Sequence, residues 1–281
     1  MQKSRILLLA AALLPGSAAV SSSASAQLRP LDHADWILIG GAGSISARAG
    51  VSRLFDQRAS LAGTSGDLWE AGIVTLAWRT GRVTLEASGT AQRFFRENER
   101  FAEPYTDVVP ADDGHRHDSG DYRIGTSVRL TPFGARFTGA VRFGTRLPAT
   151  DNTTGLDRDA IDFFSTIGGA TSIRALALSG EAGLGIHSTR ETRFEQEDVL
   201  LYSARAELRG LRVTPSVEVI GQRHGTAHAA IRGVENLGEV RAGVRIGSRI
   251  FASVEGVFGY ETFSPSSGLL VSVGFRDDGR R

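Results

Sequence analysis

The sequence predicts an all-β chain that closes as a transmembrane, antiparallel, up-and-down β-barrel of about 12 strands. Three observations predict it. Apolar and polar residues alternate with period two along segment after segment. The connections between these segments alternate between long and short. The chain begins with an export signal.

The alternation is plainest between residues 200 and 223. Leu200, Tyr202, Ala204, Ala206 and Leu208 alternate with Leu201, Ser203, Arg205, Glu207 and Arg209. After Gly210 and Leu211, Val213, Pro215, Val217 and Val219 alternate with Thr214, Ser216, Glu218 and Ile220. Side chains that alternate faces belong to strands. One face is apolar and the other carries charge at mid-strand, the arrangement that suits lipid outside and a polar interior within.

Lys3 and Arg5, an apolar run over 6–14 and the Ala24-Ser25-Ala26 site read as a secretory signal cleaved after Ala26. Residues 1–26 are therefore expected to be removed, leaving 27–281 as a single barrel domain with a short periplasmic C-terminal tail. The apolar run falls well short of the roughly 20 residues a spanning helix needs, and no later stretch supplies them. Cysteine is absent, which excludes disulfides, thiol catalysis and cysteine metal sites. Removing Lys3 and Arg5 takes two from the 32 basic residues and leaves them one short of the 31 acidic ones, so nucleic acid is not an expected partner. Lys3 is the one lysine, and every mature basic residue is arginine. Codon bias explains this blandly. A lumen lined with guanidinium forks that grip carboxylates explains it functionally.

Taken in order, 36–47 is a glycine-rich first strand, followed by a long connection over 48–67. Residues 68–79 and 82–94 form a hairpin about Thr80-Gly81, with Glu86 on the polar face. A polar loop over 96–118 precedes 122–130, and Thr131-Pro132-Phe133-Gly134 has the chemistry of a tight reversal into 135–147. In these two strands Arg123, Arg129, Arg136, Arg142 and Arg146 share one side. After a loop over 148–159 come 161–173 and 176–187, joined at Arg174-Ala175. A loop at 189–198 leads to the 200–223 hairpin, and another at 224–236 leads to 237–246. Ser248-Arg249 turns the chain into 250–261, and 268–275 is the last strand. Aromatics gather at strand ends: Tyr122, Phe163, Tyr202, Phe258 and Tyr260 toward the long loops, Trp78, Phe137 and Phe275 toward the tight turns. These fit two interfacial girdles.

The segment Gly268-Leu-Leu-Val-Ser-Val-Gly-Phe275 resembles the C-terminal signal strand of bacterial outer-membrane proteins, although the chain runs on to Arg281. The resemblance implies insertion by the outer-membrane assembly machinery, so that machinery and outer-membrane lipid are expected partners. Phe143-Gly-Thr-Arg-Leu-Pro-Ala-Thr-Asp151 resembles the strand and Leu-Pro loop of uncharacterised outer-membrane proteins grouped with transporters of aromatic-degradation pathways.

The groups expected to line the lumen are Glu86, Arg123, Arg129, Arg136, Arg142, Arg146, Glu181, Arg205, Glu207, Glu218, Glu239, Arg241, Arg245 and Glu255. Charges on such a face persist only if paired or hydrated. They form either a network stapling a narrow barrel or a polar path whose arginine-rich wall, with no acid on its own two strands, guides an anion. The function expected is a narrow passive channel for small polar, anionic solutes. The alternatives are a structural or surface-interaction barrel without transport and, third, an outer-membrane lipid hydrolase. His117 near Ser119 and His187 near Ser188 fit no nucleophile motif, so the chain is read as not an enzyme. The Asp112–Asp118 loop, with His115 and His117, and the Asp151–Asp159 loop offer metal-binding groups, but surface loops of this kind are solvated for solubility alone. No metal and no cofactor is assigned.

Overall fold

The computed structural model describes residues 28–34, 43–111, 113–148, 152–158, 160–191, 194–210, 212–224 and 232–277. The expected signal segment and residues 35–42 lie outside them. The strands are β1 (Ile45–Ala59), β2 (Thr64–Thr80), β3 (Val83–Arg100), β4 (His115–Asp118), β5 (Tyr122–Arg129), β6 (Phe137–Leu147) and β7 (Asp162–Ile173). They continue as β8 (Leu176–Glu191), β9 (Phe194–Leu208), β10 (Val213–His224), β11 (Leu237–Gly247), β12 (Ile250–Gly259) and β13 (Ser267–Asp277).

Each strand pairs antiparallel with its sequence neighbour, and β1 pairs with both β2 and β13, which closes a barrel of 12 staves. The thirteenth strand is not a further stave. β4 pairs with β3 over residues 93–96 and β5 pairs with it over residues 83–89, so the two form one stave interrupted at 119–121. Thr90 bridges the gap, its N–H donating to Asp121 and its carbonyl accepting from Gly120.

Outward positions carry large apolar side chains on all 12 staves, among them Val51, Leu76, Ile124, Ile167, Leu184 and Val271. A belt of this extent far exceeds the few hundred Å² of exposed apolar patch that a water-soluble surface tolerates, and a bilayer covers it. Trp78, Phe137 and Phe275 ring the tight-turn end, and Tyr122, Phe163, Phe258 and Tyr260 ring the other. At that second ring the Tyr202 and Tyr260 hydroxyls meet at 2.9 Å. A side chain at Gly238 would strike the Tyr260 ring, so glycine lets the aromatic lie flat on the sheet.

Several strand boundaries depart from the pattern of the sequence. Residues 36–42 of the expected first strand lie outside the described residues; β1 starts at Ile45 and occupies most of the expected connection. What remains between β1 and β2 is the tight Ser60–Gly63 turn, with Gly63 N–H donating to the Ala59 carbonyl at 2.9 Å. The expected loop at 189–198 is strand on both sides, since β8 runs to Glu191 and β9 begins at Phe194. β3 likewise continues to Arg100. Strands that project beyond the membrane keep their hydrogen-bond ladder but have no lipid to face. Their sequence is polar on both sides and reads as loop.

Candidate functional site: the occupied lumen

The interior is not open. Residues 28–34, which precede β1, run through the lumen, with buried Leu28 packed among Leu54, Ala62, Leu68, Phe95 and Leu156 at the long-loop end. Leu31 packs against Phe164, Val199, Leu201 and Val234, and Ala34 against Ala77, Ala140 and Ala170 closer to the tight turns. The segment 28–34 therefore lies inside the barrel.

A second insert is the β6–β7 connection, which carries one 3-10 turn at Asn152–Thr154 and buries Leu156, Asp157 and Arg158 completely. Of the aspartates of the Asp151–Asp159 loop, Asp157 is ion-paired, and Asp151 and Asp159 lie outside the described residues. Arg93 donates to Asp157 at 2.7 Å, and Arg146 also contacts Asp157. Asp118, at the end of β4, accepts from Thr154, whereas His115 and His117 are exposed.

One chain of charge crosses the lumen. Arg146 reaches Asp162 and Asp121, each at 2.8 Å. Arg93 links Asp157 to Glu70 at 3.2 Å, and Glu70 accepts from Arg29 of the lumen segment, also at 3.2 Å. On its other side Arg29 grips Glu239 at 3.1 and 2.8 Å, and Glu239 sits 2.8 Å from Arg241. From Arg241 the chain passes to Glu218 at 3.5 Å, then through Arg205 to Glu207, which holds Arg245 at 2.8 Å. Separately, Arg142 lies between Glu86 at 2.5 Å and Glu181 at 3.2 Å. Glu255 stands 3.8 Å from Arg48.

The rest of the lumen segment is tied down by polar contacts. The His33 ring nitrogens pair with the Ser203 and Ser179 hydroxyls at 2.6 and 2.8 Å. The Ala34 N–H donates to Glu181 at 3.0 Å, Arg142 donates to the Asp32 carbonyl at 3.2 Å, and Arg241 donates to the Asp32 carboxylate at 2.7 Å. Three small cavities flank the segment, of about 30, 40 and 20 Å³, each with room for one to a few water molecules. Arg123 lines all three, and among the described residues its guanidinium makes no ion pair or hydrogen bond.

One of the expected lumen groups sits elsewhere, and another stands at the very end of the inward face. Arg136 is exposed in the β5–β6 turn, before β6 begins. Arg129 folds onto the same turn, donating to the Thr131 and Pro132 carbonyls at 3.1 and 3.0 Å and stacking on Phe133. Arg136 lies there because β6 starts two residues later than its alternation suggests. The expected wall of unopposed arginine does not form either. Acids from β3, β8 and the loops reach Arg142 and Arg146.

The sequence pattern also missed Glu70 and Arg93. Extending the phase of Glu86 along β3 would turn Arg93 to the lipid, yet Arg93 and Phe95 are buried inside. The phase slips where Gly72 of β2 takes a positive φ of 67° against Ala91 of β3. An isolated glycine within a strand pattern is the available signal for such a slip.

The 232–236 loop closes over the mouth, placing buried Val234 on Leu201 and Phe164 and turning Glu235 inward. Burial pushes the Glu235 carboxyl up from its ordinary range, although the Gly233 N–H donates to it at 2.8 Å. Its folded-state pKa is raised, so its stabilising contribution is present at low pH and fades as pH rises through the raised value. Proteolytic cleavage at Arg232 should therefore accelerate in the wild type as pH rises above the ordinary glutamate range. In Glu235→Gln, assayed with the same protease, cleavage should stay slow relative to wild type at the higher pH.

A closed antiparallel barrel with a complete apolar belt, two aromatic girdles and a charged interior is an outer-membrane β-barrel protein, and the cell outer membrane is its location. No protein-family model matches the chain, and no curated protein matches it. Among solved structures it is similar to a COG4313 outer membrane channel from Pseudomonas putida F1, with a TM-score of 0.59 and 10% identity over 88% of this chain and 100% of that one. It is more distantly similar to the translocator domain of the autotransporter NalP from Neisseria meningitidis, with a TM-score of 0.46 and 14% identity over 86% of this chain and 91% of that one. The first likeness establishes the shared barrel fold.

Proposed function

We propose that this barrel is a narrow, gated conduit for small anionic solutes, closed in the observed state by its own N-terminal segment. The observation that carries the reading is the lumen itself: charged along its length, filled by a segment held largely through exchangeable polar contacts, and left with Arg123 as a cation free to bind. The segment adjoins the end of β1 nearest the tight turns, so it can withdraw toward that side without breaking a wall strand. Its removal leaves Glu70 paired with Arg93 and Glu239 with Arg241, so the wall stays neutralised.

Planar-bilayer recording tests this. The wild type should show small, intermittent conductance, and a variant lacking 28–34 a steady and severalfold larger one that prefers anions. Arg123→Gln in the shortened protein should reduce that preference. Arg123 replaces Arg129 and Arg136 as the residue to change, because those two serve the turn. A shortened protein that folds yet conducts nothing would favour the structural barrel, for which the Arg29 bridge between Glu70 and Glu239 is the supporting feature.

The hydrolase alternative has little support in the geometry. Ser188 donates its hydroxyl to the Ile161 carbonyl at 3.0 Å, and consecutive strand residues such as His187 and Ser188 face opposite sides of the sheet.

A further inference from the structure

We infer that Asp32 stands in the closed lumen where a solute carboxylate would bind, and that small carboxylates open the lumen by competing with it for Arg241 and Arg123; the inference rests on the conduit reading. Asp32 is the one anionic side chain of 28–34. Its carboxylate accepts from Arg241 at 2.7 Å, yet the side chain remains 37% exposed to the lumen, so the pair is open to exchange. Arg123 and Asp32 together line the two larger cavities. Each has room for a few waters, about the bulk of one carboxylate group, so an incoming anion can settle on Arg123 beside Asp32 before displacing it. A guanidinium fork binds carboxylate in a planar, two-point fashion, and Arg241 offers the same chemistry to either occupant.

The other ties of the segment are of different kinds. Arg29 holds carboxylates, which a cation would have to replace, and His33 holds hydroxyls. Among the described side-chain ties of the segment, that of the Asp32 carboxylate is the one open to an anion. A ligand shifts an equilibrium only through its preference for one state, and a carboxylate gains Arg241 only when Asp32 has left.

The chain has no cysteine, so a single introduced thiol reports on the segment without interference. Full-length Leu31→Cys in detergent micelles would be labelled with a bulky charged maleimide, in sodium acetate or in sodium chloride at equal ionic strength. Acetate should accelerate labelling saturably, roughly tenfold at ten times its dissociation constant. Adding Asp32→Asn should make labelling fast and acetate-independent, and adding Arg123→Gln should flatten the acetate response. Equal rates in acetate and chloride for Leu31→Cys, or a full acetate response surviving Arg123→Gln, would overturn the inference. Acetate-driven labelling with no conductance in any variant would keep the latch and remove the conduit. Conductance of the shortened protein with acetate-insensitive labelling would do the reverse.

Discussion

Arg146→Met is expected to destabilise the folded barrel by roughly 3–5 kcal/mol, the cost of stranding buried charge when one partner of an ion pair is removed. Arg146 is 2% exposed and touches Asp121, Asp157 and Asp162 at once. In its absence three buried carboxylates share Arg93 and Arg158, and Arg158 is itself fully buried. Urea unfolding of the barrel in lipid vesicles measures the loss. Arg146→Met combined with Asp157→Asn should recover part of it, because the two side chains belong to one network and their effects do not add. A single-mutant change within roughly 0.5 kcal/mol, the range of an ordinary surface substitution, would show that the network carries no weight.

The second large effect compares neighbours on opposite faces of β10. Val217 points to lipid between Ala206 and Ala242, whereas Ser216 points inward beside Glu207. Val217→Arg should cost roughly 2–4 kcal/mol near the bilayer midplane. Ser216→Arg places the same charge next to a carboxylate and water and should cost much less. The same unfolding assay reads both, and equal losses would contradict the assignment of faces.

The wall was legible in the sequence because lipid on one side and charge on the other impose period two, and most strands obey it. Leu176 to His187, 200–208, 213–223 and 268–275 fall within β8, β9, β10 and β13. Three features were hidden for physical reasons. Strand ends beyond the bilayer lack the apolar phase that marks a strand, so 48–59 and 189–198 looked like loops. The positive φ at Gly72 reverses the phase of two strands, hiding Glu70 and Arg93. The filling of the lumen leaves no periodic trace, because 28–34 is a single extended pass whose partners are scattered over β2, β6, β8, β9 and β11. The candidate site was thus half visible. The wall charges could be read from the pattern, but not which of them would be matched from outside their own strands or that Arg123 would be left over.

The β1–β13 seam joins the two ends of the sheet, pairing Ile45 with Asp277 and Phe55 with Ser267. It is the most distant pairing in the chain, and its loop-closure entropy is the largest any stave must overcome. The segment that fills the lumen precedes β1 in the chain and is tethered to that seam strand. When β1 docks, Arg29 and Asp32 meet Glu239 and Arg241 of β11 already in place. Closing the wall therefore brings the lumen segment toward its partners on β11.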